Sequence, residues 1–264
     1  IEGSAFIAAP LGGMTLAQLG ADVIRFDDVR GGIDYGRWPL APSGRSIYWA
    51  GLNKGKRSIA VNLAEPEARE LVAELIVSGD QSGGYFLTNL PMRGALAFDA
   101  LRERRADVVA LQVQGHRDGA TAVDYTVHAA VGFPVVTGDA RADAPVNAVL
   151  PAWDIIAAMN AAIGILGADK HRRETGEGQL ITLALSDVGY AMVGNLGYIG
   201  EAAVNDEERE PHGNDIYGAF GRDFPTSDGR RVMVAAISLR QWRGLVRATD
   251  NGERMEALAA LLGD

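Results

Sequence analysis

Cysteine is absent from the 264 residues of the chain. Disulfide bridges, thiol nucleophiles and cysteine-bound metals are therefore excluded. Histidine is scarce, and its four occurrences show no HExxH-type spacing: His116, His128, His171 and His212. The sequence therefore predicts no metal site.

A surplus of positive charge is also lacking, because the net charge is −9. Such a chain cannot neutralise many phosphates, so binding to nucleic acid is not expected. No uninterrupted apolar run reaches the roughly 18 residues of a transmembrane helix, and no signal peptide pattern is present. We therefore expect no membrane contact and a cytoplasmic location.

The two ends of the sequence lack the features of a complete domain. The chain begins "IEGSAFIAAP", without an initiator Met, as if at the end of a strand followed by a turn. It ends "MEALAALLGD", inside or just after a helical pattern. We expect a piece of a longer protein.

Short apolar strands alternate with helical patterns through the first 200 residues. Strands are predicted at 21–27, 56–63, 83–90, 106–115 and 180–186, and helices at 10–19, 65–79, 98–105, after 154 and at 187–199. This alternation predicts an α/β, Rossmann-like domain (residues 1–200) with a mostly parallel sheet flanked by helices. A linker at 201–215 then leads to the start of a smaller α+β domain, 216–264, with a strand at 229–237 and a helix near 239–249.

In such sheets, ligands collect at the loops beyond the carboxyl ends of the strands. The loops concerned are 27–32, 62–65, 88–93 and 115–118. No GxGxxG or GxxxxGK[ST] motif follows any strand, so the sequence gives no support for a dinucleotide or P-loop site.

One carboxylate, Asp154, stands before a helix that is apolar from Ile155 to Leu166 except at Asn160. Such a helix is expected to be buried on every side. Asp154 could simply cap it. Alternatively, the apolar approach "VLPAW" could desolvate a carboxylate that the helix dipole keeps ionised. That carboxylate could then attack an activated acyl group.

Several segments in order resemble the family III CoA-transferases, the CaiB/BaiF family. They are "LAQLGADVIRFD", "NKGKRSIAVNL", "FLTNLPMRGAL", "DYTVHAAVGF" and "D…GILGADKHRRETGEGQLITLALSD". The family has Gln where this chain has His128, and often Lys at the position of Ala64. "QGHRDGATAVDYTVHAAVGFPVVTG" and "LPAWD" further resemble the mesaconyl-CoA C1–C4 transferase subgroup, which moves CoA between the two carboxylates of one C5 dicarboxylate.

The resemblance implies that Asp154 is the nucleophile and forms first an acyl anhydride and then an aspartyl-CoA thioester. It further implies CoA contacts at Arg30, Val61, Asn89, Leu90 and Asp124. No metal is implied, and no cofactor beyond CoA itself as a substrate. The implied partners are acyl-CoA and carboxylic acid substrates, with an interlocked homodimer as the assembly.

Simpler interpretations of these residues stay open. Arg30 could be a solvated loop residue, Asn89 a turn former and Asp124 a helix cap. Lys56 and Arg57 fit a charged strand end somewhat better than a phosphate contact. Arg93 favours neither interpretation, and His116 and His128 are expected to be structural.

Three other functions also stay open. An intermolecular CoA-transferase would use the same chemistry. A 2-methylacyl-CoA racemase would need a His before Asp124, where this chain has Val123. The chain could also be a catalytically silent fragment.

Overall fold

The computed structural model describes residues 1–138 and 144–249. Within these ranges, six strands form one parallel sheet in the order β3-β2-β1-β4-β5-β6. The strands are β1 (Glu2–Gly3), β2 (Ile24–Asp27), β3 (Arg57–Ala60), β4 (Tyr85–Thr88), β5 (Val109–Gln114) and β6 (Gln179–Ala184). The predicted parallel α/β fold is therefore confirmed.

The strand order changes direction between β1 and β4. From β1 the chain builds outward to β2 and β3, and it then returns past β1 to add β4, β5 and β6 on the other side. Loops leaving β1 and β4 diverge at such a point, and the crevice between them is the usual ligand site of an open parallel sheet.

The helices up to residue 175 connect the parallel strands, and three more follow β6 in the described part of the chain. They are α1 (Ala8–Gln18), α2 (Ile47–Leu52), α3 (Pro66–Val77), α4 (Phe98–Arg104), α5 (Asp124–Ala130), α6 (Phe133–Thr137), α7 (Ala152–Thr175), α8 (Leu185–Asn195), α9 (Tyr198–Asn205) and α10 (Leu239–Ala248). Pro66 occupies the first turn of α3, where its missing N–H has no helical partner to lose. Gly176 takes the left-handed conformation that ends α7.

The predicted helix at 187–199 is two helices. Gly197, with φ 85°, separates α8 from α9, because a residue in that conformation cannot continue a right-handed helix. α9 then runs into the segment 201–215, so the first part of the predicted linker is helical.

The core on one face of the sheet is built from β2, β4, α3 and α4. The Phe26 and Phe86 rings stack there with centroids 6.4 Å apart, beside the fully buried Ile76 and Leu101. β5 is buried almost throughout, as expected of a strand covered by helices on both faces.

The expectation that α7 is buried on every side is wrong. Its alanine face lies against α1 so closely that a Cβ on Gly12 would be 3.1 Å from the Ala158 carbonyl oxygen. On the opposite side, Ile163 is 66% exposed and Leu166 is 48% exposed. By length and hydropathy alone, α7 meets the criteria for a membrane span, which the search for uninterrupted apolar runs missed. The packing of its alanines on α1 accounts for much of its apolar character, so this is weak support for a span.

The chain divides into two compact units, residues 1–131 with 149–200 and residues 132–148 with 201–264. In the second unit, β7 (Phe220–Pro225) pairs antiparallel with β8 (Arg231–Ala236), and Ser238 caps α10. β7 was not predicted, because "FGRDFP" mixes charged and apolar residues without a clear alternation. The helical pattern at the end of the sequence lies outside the described residues.

Candidate active site

The direction of α7 places Asp154 at the carboxyl edge of the sheet. α7 ends at Thr175, and β6 begins shortly afterwards at Gln179, parallel to β5. The helix therefore runs back across the sheet, and its first turn lies where the parallel strands end. Asp154 is the third residue of that turn, and its side chain is half-buried.

The helix cap is Asp124, not Asp154. Asp124, the first residue of α5, is buried, and its Oδ2 accepts hydrogen bonds from the backbone N–H groups of Trp153 (2.8 Å) and Asp154 (3.1 Å). The residue preceding the helix is Pro151, which has no side-chain group to do this. The interpretation of Asp154 as a cap is therefore wrong. Its carboxylate makes no hydrogen bond or ion pair with any described residue.

The surroundings of Asp154 favour the protonated form. Burial, and then the negative charge of Asp124, raise its pKa to about 6, and the positive charge of Arg37 opposes them. The backbone N–H groups at the start of α7 donate to Asp124, not to Asp154. At pH 7 the ionised, nucleophilic form still predominates.

Arg37 and two aromatic rings form the adjoining wall. The Arg37 guanidinium lies over the Phe6 ring at 5.3 Å and over the Tyr48 ring at 5.0 Å. The Tyr48 hydroxyl is buried and has no hydrogen-bond partner among the described residues. Burial raises the pKa of Tyr48 to about 12, Arg37 lowers it and Asp154 raises it, so the phenol is neutral at pH 7.

Three side chains hydrogen-bond to the backbone of the loop after β1, residues 4–6. Asn89 accepts from the Ala5 N–H (2.9 Å) and donates to the Ala5 carbonyl (2.8 Å). Asp34 accepts from the Phe6 N–H (2.9 Å), and Arg25 donates to the Ser4 carbonyl (2.7 Å). Phe6 adopts φ 67°, an uncommon conformation that these bonds stabilise.

A buried network of charged side chains lies next to this loop. Arg25 donates to both carboxylate oxygens of Asp27 at 2.8 Å, and Lys56 donates to Glu2 at 2.8 Å. Asn53 accepts from Arg25 (3.0 Å) and from Lys56 (2.8 Å). The Lys56 ammonium is consequently a structural group and does not face a phosphate. Arg57 forms an exposed pair with Asp22.

Four of the five residues expected to contact CoA lie along the same edge of the sheet. Arg30 follows β2, is 87% exposed at its side chain and pairs with Asp28 at 2.8 Å. Val61 follows β3 and is buried, and its N–H donates to the Asp27 carbonyl (2.9 Å). Asn89 and Leu90 follow β4, at the change of strand direction.

The fifth residue, Asp124, lies at the start of α7 beside Asp154. Asp124 does act as a helix cap, but for α7 and not for its own helix. His128 packs nearby and accepts from the Trp153 indole N–H at 3.2 Å, which fits the expected structural role. His116 lies in a backbone turn with Ala120, and Arg93 is exposed.

Sequence reasoning missed Arg37, Tyr48 and Phe6. Arg37 lies in "RGGIDYGRWPLAPSGR", a segment recognised only as a loop. Its signal was an arginine among aromatic residues in a loop that follows a strand, which is too common to single out. In the described part of the chain, no group of three or more His, Asp or Glu side chains could hold a metal ion.

Comparisons with known proteins identify the family and the fold. The model of CoA-transferase family III matches residues 1–261. The 2-methylfumaryl-CoA isomerase of Chloroflexus aurantiacus is 53% identical over all 264 residues, and the succinyl-CoA:mesaconate CoA-transferase of Haloarcula marismortui is 29% identical over 92% of the chain. The chain spans 64% of the length of each. A crystal structure of a CaiB/BaiF family protein from Brucella suis has the same fold, with a TM-score of 0.79 at 23% identity, covering 99% of this chain and 75% of that one.

Proposed function

The chain belongs to CoA-transferase family III, and on that premise we propose that the protein moves CoA between the two carboxylates of 2-methylfumarate. The acyl group of the 53% identical isomerase is the mesaconyl group under another name, so the subgroup resemblance seen in the sequence is confirmed. The activity itself is our proposal, because the chain covers only part of that relative's length.

The observation that carries the proposal is the state of Asp154. Its carboxylate is half-buried and lies at the edge of the sheet where ligands bind. It does not cap α7, because Asp124 does so. A carboxylate that has no hydrogen-bond or ion-pair partner among the described residues can attack an acyl group.

The proposed reaction begins when a carboxylate oxygen of Asp154 attacks the thioester carbonyl and CoA leaves as its thiolate, which gives an acyl–aspartyl anhydride. The thiolate then attacks the aspartyl carbonyl of the anhydride, forming the Asp154–CoA thioester and releasing the dicarboxylate. The other carboxylate of the same acid attacks this thioester, which releases the thiolate and forms the second anhydride. Attack of the thiolate on its acyl carbonyl yields the isomeric thioester and restores Asp154, with no net gain of protons or electrons.

We propose that CoA lies across the strand ends at Arg30, Val61, Asn89 and Leu90. Arg30 offers an exposed guanidinium for a phosphate. Val61 and Leu90 would line the site by position, since the Val61 N–H already donates to Asp27 and the backbone groups of Leu90 are bonded to Thr88 and Gln112. Asn89 would act through the loop that it holds, since its amide is already bonded to Ala5.

The racemase alternative has little support. Val123, which precedes Asp124, is 51% exposed and carries no proton-transferring group. The silent-fragment alternative, the homodimer and the cytoplasmic location stay predictions. Gel filtration tests the assembly, and a monomer would favour the silent fragment.

The intermolecular alternative differs from the proposal in the fate of the acid. The full-length protein is given unlabelled 2-methylfumaryl-CoA together with ¹³C-labelled free 2-methylfumarate, and the isomeric product is analysed by mass spectrometry. We expect an unlabelled product, because the same acid reacts at both ends. Incorporation of label to the level of the free acid would show intermolecular transfer, and no isomer at all would refute the proposal.

A further inference from the structure

Arg37 is held in a fixed loop between β2 and α2. Its N–H donates to the Asp34 carbonyl (3.0 Å), and its carbonyl accepts from the Ser46 hydroxyl (2.5 Å). Ser46 in turn caps α2 by accepting from the Trp49 N–H (3.0 Å). The backbone of Arg37 is thus anchored to both flanking segments.

The guanidinium of Arg37 is oriented but not neutralised. Its contacts are with the rings of Phe6 and Tyr48, which favour a cation over their faces and leave N–H donors unused. Among residues 1–138 and 144–249, no carboxylate or carbonyl accepts from it. Arg25 and Arg172, by contrast, are buried and donate to several internal acceptors.

The helix packing places Arg37 near Asp154 independently of any charge effect. α1 and α7 both begin at the carboxyl edge of the sheet, and Gly12 of α1 lies against Ala158 of α7. One turn earlier on each helix are Ala8 and Asp154, so Phe6 and the guanidinium on its ring lie near the carboxylate. The charge of Arg37 accordingly lowers the pKa of Asp154.

We infer that Arg37 binds the substrate carboxylate that is not in the thioester, so that the site selects monothioesters of dicarboxylic acids. This inference rests on the proposed function. A guanidinium with open donors matches a carboxylate in shape and charge, and an exposed arginine can release one carboxylate and take another. Arg37 would hold whichever end of the acid is not reacting and so retain it between the two transfers.

The test compares two thioesters in one half-reaction. Wild-type protein and Arg37→Met are mixed with 2-methylfumaryl-CoA, or with (E)-2-methylbut-2-enoyl-CoA, in which a methyl group replaces the free carboxylate. The rate of Asp154–CoA formation is followed in a single turnover at about pH 8, where Asp154 is ionised despite its raised pKa. We expect Arg37→Met to slow the reaction of the dicarboxylic thioester on the order of 10- to 100-fold, the effect of losing a charged hydrogen bond.

The monocarboxylic thioester should react at nearly the same rate with both proteins. Arg37→Lys should fall between wild type and Arg37→Met with the dicarboxylic thioester, since it keeps the charge and loses the planar fork. Arg45→Met, on the same loop, is the matched control and should not alter the preference. Equal slowing of both thioesters, or no slowing, overturns the inference while leaving the proposed function intact. Absence of the adduct in wild type with both thioesters overturns the proposed function and this inference with it.

Discussion

The raised pKa of Asp154 implies that Asp154→Asn should stabilise the protein at neutral pH. A carboxyl group with a higher pKa in the folded chain binds more protons when folded than when unfolded. The wild type therefore loses stability as pH rises from about 4, near the ordinary pKa, to about 6, the folded value, and does not regain that contribution above it. The Asn side chain does not titrate, so the variant is spared this loss.

The size of the effect follows from the two pKa values. A rise from 3.8 to about 6, at about 1.4 kcal/mol per pH unit, corresponds to an upper limit of about 3 kcal/mol in the free energy of unfolding. No capping loss offsets it, because Asp124 caps the helix. The variant should thus match the wild type at about pH 4 and exceed it by about 2 kcal/mol at pH 7.

Urea unfolding of both proteins at several pH values measures this difference in the free energy of unfolding. The contributions of the other carboxylates are the same in both proteins and cancel in the difference. Glu103→Gln, at an exposed helix position, is the control and should stay within about 0.5 kcal/mol of wild type throughout. A difference between Asp154→Asn and wild type that does not change with pH would refute the reasoning.

Three further predictions concern Asp124, the CoA site and the residue before Asp124. Asp124→Ala leaves two helix amides without their acceptor and should lower the free energy of unfolding by about 1–2 kcal/mol, seen as a lower Tm. Asp124→Asn should keep most of the capping and, by removing a negative charge, move the acid limb of the pH–rate profile to lower pH. An unchanged Tm for Asp124→Ala would contradict the capping role. Arg30→Ala combined with Asn89→Ala should weaken CoA binding in calorimetry, and unchanged affinity would count against the strand-edge site. With Val123 before Asp124, deuterium from solvent should not enter the α-position of a 2-methylacyl-CoA at enzymatic rates, and its rapid entry would revive the racemase.

Most of the sheet could be predicted from the sequence because its strands are short apolar runs bounded by turns. β2, β3, β4 and β5 fall within predicted segments, β6 begins one residue before its predicted segment, and the order of the family motifs reflects the order of the strand-end loops. β7 escaped detection because a strand exposed to solvent need not carry a continuous apolar signal.

The capping of α7 could not be predicted, because it depends on a contact between residues far apart in sequence. Asp124 and Trp153 are separated by 29 positions, and only the folded chain brings that carboxylate to the helix end. Local pattern favoured Asp154 as a cap, since Asp is common before apolar helices. Arg37 was missed for a similar reason, because its orientation depends on the Phe6 and Tyr48 rings, which only the folded chain brings against it.

The most direct test of the account is to identify the residue that carries CoA during turnover. Full-length protein is incubated with 2-methylfumaryl-CoA, quenched with hydroxylamine and digested, and the peptides are sequenced by mass spectrometry. We predict a hydroxamate on Asp154, and no isomer formed by Asp154→Asn, because an amide cannot form the anhydride. A modified residue other than Asp154, or turnover retained by Asp154→Asn, would contradict the central claim.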